Sequence, residues 1–128
     1  MSTAKILRKV YGHISQFEYA GDRKAFKRLN YFRRSMYGIR ICLEIMKIHF
    51  EKNDNFCCTK EYLTKKMANL ASCATIINFL NDEIGKGSLE IIISKQDRRV
   101  KNIKPSTQLV QEFTLWIDSN YRPNSIKT

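Results

Sequence analysis

Apolar residues recur along this chain at helical spacing before the pattern changes once. Ile6, Leu7, Val10, Ile14 and Phe17 fall at steps of three and four, which predicts a helix from about Thr3 to Tyr19. Gly21-Asp22 reads as a stop followed by an N-cap. Phe26, Leu29, Phe32 and Met36 then repeat the spacing, with Arg23, Lys24, Lys27, Arg28 and Arg34 mostly on other faces. Ile41, Ile45 and Ile48 form one stripe, and Cys42, Met46 and Phe50 a second beside it. A helix apolar over so wide an arc is expected at the centre of a fold. Asn53-Asp54-Asn55 ends it.

Thr59 is placed to cap the next helix, whose inner side is Tyr62, Leu63 and Met67, with Leu70 a candidate fourth. After a short turn at Asn69-Leu70, Ser72 caps a further helix in which Ile77, Leu80 and Ile84 share a face, and Gly85-Lys86-Gly87 stops it. The period then shortens. Leu89 to Ile93 is a strand-forming run, Ser94 to Arg99 is polar, and alternation from Val100 to Lys104 suits an antiparallel return strand ended by Pro105. A last helix runs from about Ser106 to Ser119, with Leu109, Val110, Phe113, Trp116 and Ile117 inward.

The expected fold is therefore mainly α with a small β-hairpin wing: a winged helix-turn-helix with N-terminal and C-terminal flanking helices. Residues 1–119 form one domain, divided into an N-terminal helical region (1–34), a helix-turn-helix with wing (35–106) and a C-terminal helix (107–119), with 120–128 as a flexible tail.

Charge narrows the class of partner. Lys plus Arg is 23 and Asp plus Glu is 12 in 128 residues, a net charge of +11. Residues 1–53 carry 12 basic and 4 acidic side chains, or +8, so the field is strongest in the N-terminal half. Such a field favours a polyanion. Arg40, Glu44, Lys47 and His49 interrupt the most apolar stretch, Ile39 to Phe50, so no membrane span is expected. With no apolar signal core at the N-terminus, the expected location is cytoplasmic and nucleoid-associated. Cys42, Cys57, Cys58 and Cys73 lack metal-ligand spacing with His13 or His49, and reduced thiols are expected. No carboxylate pair, nucleophile–base arrangement or phosphate-cradling glycine loop suggests an enzyme, and no metal or cofactor is expected.

In a helix-turn-helix the second helix lies in the major groove. Its expected exposed positions are Ser72, Ala74, Thr75, Asn78 and Asn81. Asparagine pairs with adenine, and the Ala and Thr methyls can touch the thymine methyl. No Arg or Lys occurs between Ser72 and Gly85, so any preference leans towards A·T-rich sites. At the hairpin, Gln96-Asp97-Arg98-Arg99 occupies the turn between Lys95 and Lys101. A tip arginine can enter a narrow minor groove. Asp97 is suited to holding a neighbouring arginine by a charge-assisted hydrogen bond.

The gapless run from Gly87 through Asp97-Arg98-Arg99 and Ile103 to Ser106 resembles the wing of MarR-type transcription regulators. The stretch from Tyr62 to Asn81 resembles that family's helix-turn-helix, and the likeness covers roughly residues 35–115. The resemblance implies a homodimer binding double-stranded DNA, with Asp97 and Arg98 or Arg99 as the wing residues, and in some members a small-molecule effector. Where the family commonly places a helical pair after the wing, this chain has one helix, so Ile6 to Phe17 and Leu109 to Ile117 would make the dimer.

Arg23, Lys24, Lys27, Arg28, Arg33, Arg34 and Lys60 are candidate phosphate contacts. Phe26, Tyr31 and Phe32 among them suit either the core or stacking on unpaired bases. Cys42 lies on an apolar stripe, where a packing role outweighs a redox one. Two readings stay open: a sequence-selective regulator, or a basic architectural or protein-interaction module with little sequence preference.

Overall fold

The computed structural model describes residues 2–20, 25–52 and 57–120, the side chains of 16–20 and 119–120 excepted. The elements run α1 (Thr3–Ala20), α2 (Lys27–Phe32), α3 (Met36–Glu51), α4 (Lys60–Lys66), α5 (Cys73–Lys86), β1 (Leu89–Ile93), β2 (Lys101–Pro105) and α6 (Thr107–Asn120). The chain is mainly helical, with one antiparallel two-stranded hairpin. No described helix is long and apolar enough to cross a membrane. The 120–128 tail and the turns at Gly21-Asp22 and Asn53–Asn55 lie outside the described residues, apart from Asn120.

Serine and threonine hydroxyls start several of these helices. Ser35, Thr59 and Ser72 accept from the backbone N–H three residues on, at 3.0, 3.1 and 3.2 Å. Ser106 does the same for Leu109 at 3.2 Å. Each cap satisfies a donor the helix cannot, worth about 1 kcal/mol. The Ser35 cap also alters one expectation. The Phe26–Met36 spacing is not one helix: α2 stops at Phe32, and Met36 begins α3 with its side chain 75% exposed. The two helices meet closely, since a Cβ on Gly38 would stand 2.5 Å from the Phe32 carbonyl oxygen.

α3 is the central helix, as its double stripe predicts. Ile41, Cys42, Ile45 and Met46 are buried, whereas Phe50 at its end is 54% exposed. α2 packs on α3 and α6, β2 on α3, and α5 on α4 and β1. Phe79 of α5 stands edge-on to Phe32 at 5.4 Å and to Tyr37 at 5.5 Å, which pins α5 to the junction of α2 and α3. The buried face of α5 is centred on Ile76, Leu80 and Glu83, with Ile77 and Ile84 on its half-buried flanks. The face is thus turned by about one residue from the Ile77–Leu80–Ile84 expectation, and it includes an acidic residue, Glu83. Leu63 and Met67 of α4 are fully buried, and Leu70 at the turn is exposed.

Gly87 ends α5 in the left-handed region at φ +83°, and the N–H groups of Gly87 and Ser88 return to Ile84 and Glu83. Glycine adopts that φ without a Cβ penalty, and the reversal feeds the chain into β1. In the hairpin Leu89 pairs with Pro105, Ile91 with Ile103 and Ile93 with Lys101. Leu89 and Ile103 are buried and anchor the hairpin on the core, while the tip projects.

Candidate nucleic-acid interface

α4 and α5 are joined by a tight turn in which Leu70 and Ala71 donate to the Met67 carbonyl at 2.8 and 3.1 Å. The exposed side of α5 carries Ser72, Ala74, Asn78 and Asn81, with Thr75 half-buried. All five positions expected to face outward therefore reach solvent. Ser72 is partly spent on structure: its Oγ caps the helix and donates to Thr75 Oγ1 at 2.9 Å. Thr75 keeps its own hydroxyl proton, and Asn78 and Asn81 keep their amides. The only cation on α5 is Lys86 in the last turn, where it suits the helix dipole.

The hairpin tip is a closed turn built by two short side chains. Ser94 Oγ accepts from the N–H of Gln96 at 3.2 Å and of Asp97 at 3.4 Å. Val100 N–H donates to the Asp97 carbonyl at 3.0 Å, and Ser94 N–H to the Val100 carbonyl at 2.9 Å. Asp97 Oδ1 accepts twice from Arg99, from the backbone N–H at 3.0 Å and from Nε at 3.3 Å. The Arg99 side chain is nevertheless 92% exposed. Asp97 thus holds the guanidinium by its inner nitrogen and leaves both terminal amino groups facing outward. Lys95, Arg98 and Lys101 are exposed around it.

The N-terminal basic cluster divides. Arg28 is half-buried, with Nη1 3.7 Å from Glu112 Oε2 of α6. Arg33 donates to Asn30 Oδ1 at 3.0 Å and lies 5.8 Å from the Trp116 ring centre, and burial lowers its pKa. Both are turned to internal partners. Lys27 and Arg34 are exposed, and Lys60 is half-buried at the start of α4. Arg23 and Lys24 lie outside the described residues. Phe26 and Phe32 belong to the core, which leaves only Tyr31 near the surface.

Lys86 joins this cluster, which sequence spacing did not indicate. Its Nζ stands 3.9 Å from the Tyr31 ring centre, and the Arg34 guanidinium 4.7 Å from the same ring. One tyrosine face system thereby gathers a cation from α2's end and one from α5's end. The Glu83–Lys86 spacing of three points to an ion pair along α5, and nothing in the sequence points to Tyr31. A cleft of about 580 Å³ opens beside Arg33 and Arg34, lined also by His13, Met36, Ile39 and Trp116.

Two of the three buried carboxylates among the described residues, Glu44 and Glu112, brace the frame. Glu44 of α3 accepts from Arg40 Nη1 at 2.9 Å, Lys47 Nζ at 3.1 Å and Tyr62 Oη at 2.7 Å. Burial alone would raise its pKa, but hydrogen bonds from Tyr62, Lys47 and Arg40 prevail and hold it at about 2. Burial and this contact push Tyr62 up to about 12. Glu112 of α6 accepts from the backbone N–H of Arg28 at 2.9 Å and of Leu29 at 3.1 Å, capping α2 from across the domain. The thiols of Cys42 and Cys58 are each pushed up to about 12, chiefly by burial, so neither is a thiolate at neutral pH. Among the described residues no cluster of His, Cys, Asp or Glu could hold a metal ion.

No protein-family model, no curated protein and no solved structure matches the chain.

Proposed function

We propose that the chain is a winged-helix regulator of transcription that binds double-stranded DNA, similar in plan to the MarR type. α4 and α5 act as its helix-turn-helix and the β1–β2 hairpin as its wing. α5 enters the major groove through Thr75, Asn78 and Asn81, with Ser72 fixing its first turn, and the wing enters the minor groove.

The observation that carries this reading is the Asp97–Arg99 pair at the hairpin tip. A fully solvated arginine gains little from a single exposed carboxylate. Held by Nε and its own N–H, the same arginine is pre-ordered, so less side-chain entropy is lost when its terminal amino groups meet a groove. Lys95, Arg98 and Lys101 flank it, as phosphate contacts would.

The dimer falls to α1 and α6. Every described residue from Ser2 to Ser15 is exposed except Gly12, which is half-buried, and Ile6, Leu7, Val10 and Ile14 are each 44–47% exposed along one helix face. A single helix with that face open is unstable in water, and pairing with a second copy would bury it. Leu115 of α6 is 53% exposed as well.

One observation favours a second reading, a basic architectural module. α5 carries no cation before Lys86, so base readout from it rests on asparagine and methyl contacts alone. Selection of bound duplexes from a random pool separates the two. A regulator enriches a short A·T-rich motif, and an architectural module enriches none.

A further inference from the structure

The register of the hairpin decides which backbone groups of β1 are in use. Across the tip Ser94 N–H donates to the Val100 carbonyl, and at the base Ser106 N–H donates to the Ser88 carbonyl, both at 2.9 Å. Hydrogen-bonded and non-hydrogen-bonded pairs alternate along an antiparallel ladder. The pairs Ile92–Asn102 and Glu90–Lys104 therefore exchange the ladder bonds. Leu89, Ile91 and Ile93 turn their N–H and C=O groups away from β2. Two observations agree with this phase. Ile103, opposite Ile91, sends its N–H outward to the Cys58 carbonyl at 2.7 Å. Pro105, opposite Leu89, has no N–H to give.

β2 is thus flanked on its outer side by Cys58, while the outer side of β1 is open. Among the described residues no backbone hydrogen bond from outside the hairpin reaches Ile91 or Ile93. Exposed strand edges are ordinarily guarded by lysine, proline, a bulge or brevity. β1 carries none of those side chains. Its single charge is Glu90, and Ile91, Ile92 and Ile93 are 39, 44 and 55% exposed.

We propose that this edge receives an extended, acidic segment of a partner protein, which adds to the hairpin as a further strand. Strand addition takes its affinity from main-chain bonds and its selectivity from alternate side chains. Ile91 and Ile93 lie on the same side as buried Leu89, so apolar guest residues at every second position continue the core beneath them. Charge selects the guest. From Leu89 to Pro105 the hairpin holds Lys95, Arg98, Arg99, Lys101 and Lys104 against Glu90 and Asp97, or 5 − 2 = +3. A second copy pairing edge to edge would set two such hairpins side by side, and a basic segment would add to the same repulsion. An acidic segment is drawn to it. The outward N–H and C=O groups of β1 are not among the groups assigned to DNA, but the cations that draw the guest include the wing's Lys95, Arg98, Arg99 and Lys101, so guest and duplex share that field.

The test is residue-resolved amide hydrogen exchange on the full chain, with a synthetic peptide alternating valine and aspartate. A second peptide has lysine in place of aspartate. Added acidic peptide is expected to slow exchange at Ile91 and Ile93 about tenfold and to leave Glu90 and Ile92, already bonded to β2, unchanged. Ile93→Pro removes an outward N–H without touching the ladder and should abolish the effect at Ile91. Ile93→Glu repels the guest while keeping the backbone intact, and should do the same if the proline variant fails to fold. No slowing with the acidic peptide overturns the proposal, and so does equal slowing with the lysine peptide. Slowing without peptide that grows with protein concentration overturns it in favour of a second copy.

Discussion

Asp97 and Arg99 sit two residues apart at the hairpin tip, and one carboxylate oxygen of the first accepts both the backbone N–H and the Nε of the second. Both side chains are substantially exposed, so the contact contributes little to folding. Its consequence is orientation. Asp97→Ala should weaken duplex binding about tenfold, the scale of one charge-assisted hydrogen bond, without moving the melting temperature. Gel-shift titration and a thermal melt read the two effects separately. Unchanged affinity would mean that Arg99 needs no holding.

Arg28 and Arg34 should part company. Arg34 is exposed, and Arg34→Ala is expected to flatten the slope of log affinity against log salt by about 1, with the fold intact. Arg28 braces α6 through Glu112, so Arg28→Ala should cost about 1 kcal/mol of stability and leave the slope unchanged. The salt dependence of fluorescence-anisotropy titrations distinguishes them.

Two of the three buried carboxylates among the described residues, Glu44 and Glu83, should respond to pH in opposite senses. Glu44 titrates at about 2 in the folded chain, below its ordinary 4.5. A depressed pKa contributes stability that is present above the ordinary value and lost as pH falls through the folded one. Glu44→Gln should therefore cost about 3 kcal/mol at neutral pH and blunt the loss of stability below pH about 4. Denaturant melts across an acid series measure both.

Glu83 behaves in reverse. Burial raises its pKa, and Lys86 at 3.4 Å only partly offsets this. A raised pKa contributes stability that is present below the ordinary carboxylate value and lost as pH rises through the folded one. Glu83→Gln removes that loss and should stabilise the chain by about 1 kcal/mol at neutral pH. Equal stability of the two proteins at all pH values would show that Lys86 neutralises the carboxylate fully.

The open face of α1 supplies a further check. Val10→Asp with Ile14→Asp places charge on that stripe and should convert a dimer to a monomer in analytical ultracentrifugation, with secondary structure unchanged. A wild-type monomer would remove α1 from the assembly.

Much of the frame was legible in the order of residues because periodicity reports burial directly. The double stripe of α3, the caps at Thr59 and Ser72, the Gly87 stop and the hairpin from Leu89 all have local causes. The buried acids did not. Glu44, Glu83 and Glu112 look like surface residues by type, and their burial depends on partners up to 84 positions away. The helix break before Met36 was hidden for a similar reason: Phe26 to Met36 keeps step, and only the Ser35 cap and the Gly38 approach end the run. At the candidate site, the tip residues were visible as a triplet. Which arginine Asp97 holds, and that Lys86 and Arg34 share Tyr31, required three-dimensional geometry.

α5 and the hairpin are proposed to read duplex DNA together. The most direct measurement is the ratio of affinities for a duplex selected from a random pool and for unselected duplex, at one fixed salt concentration. A ratio of about 1,000 or more is expected, carried by an A·T-rich motif and reduced by Arg98→Ala with Arg99→Ala. A ratio near one, or a ratio indifferent to those two arginines, would contradict it.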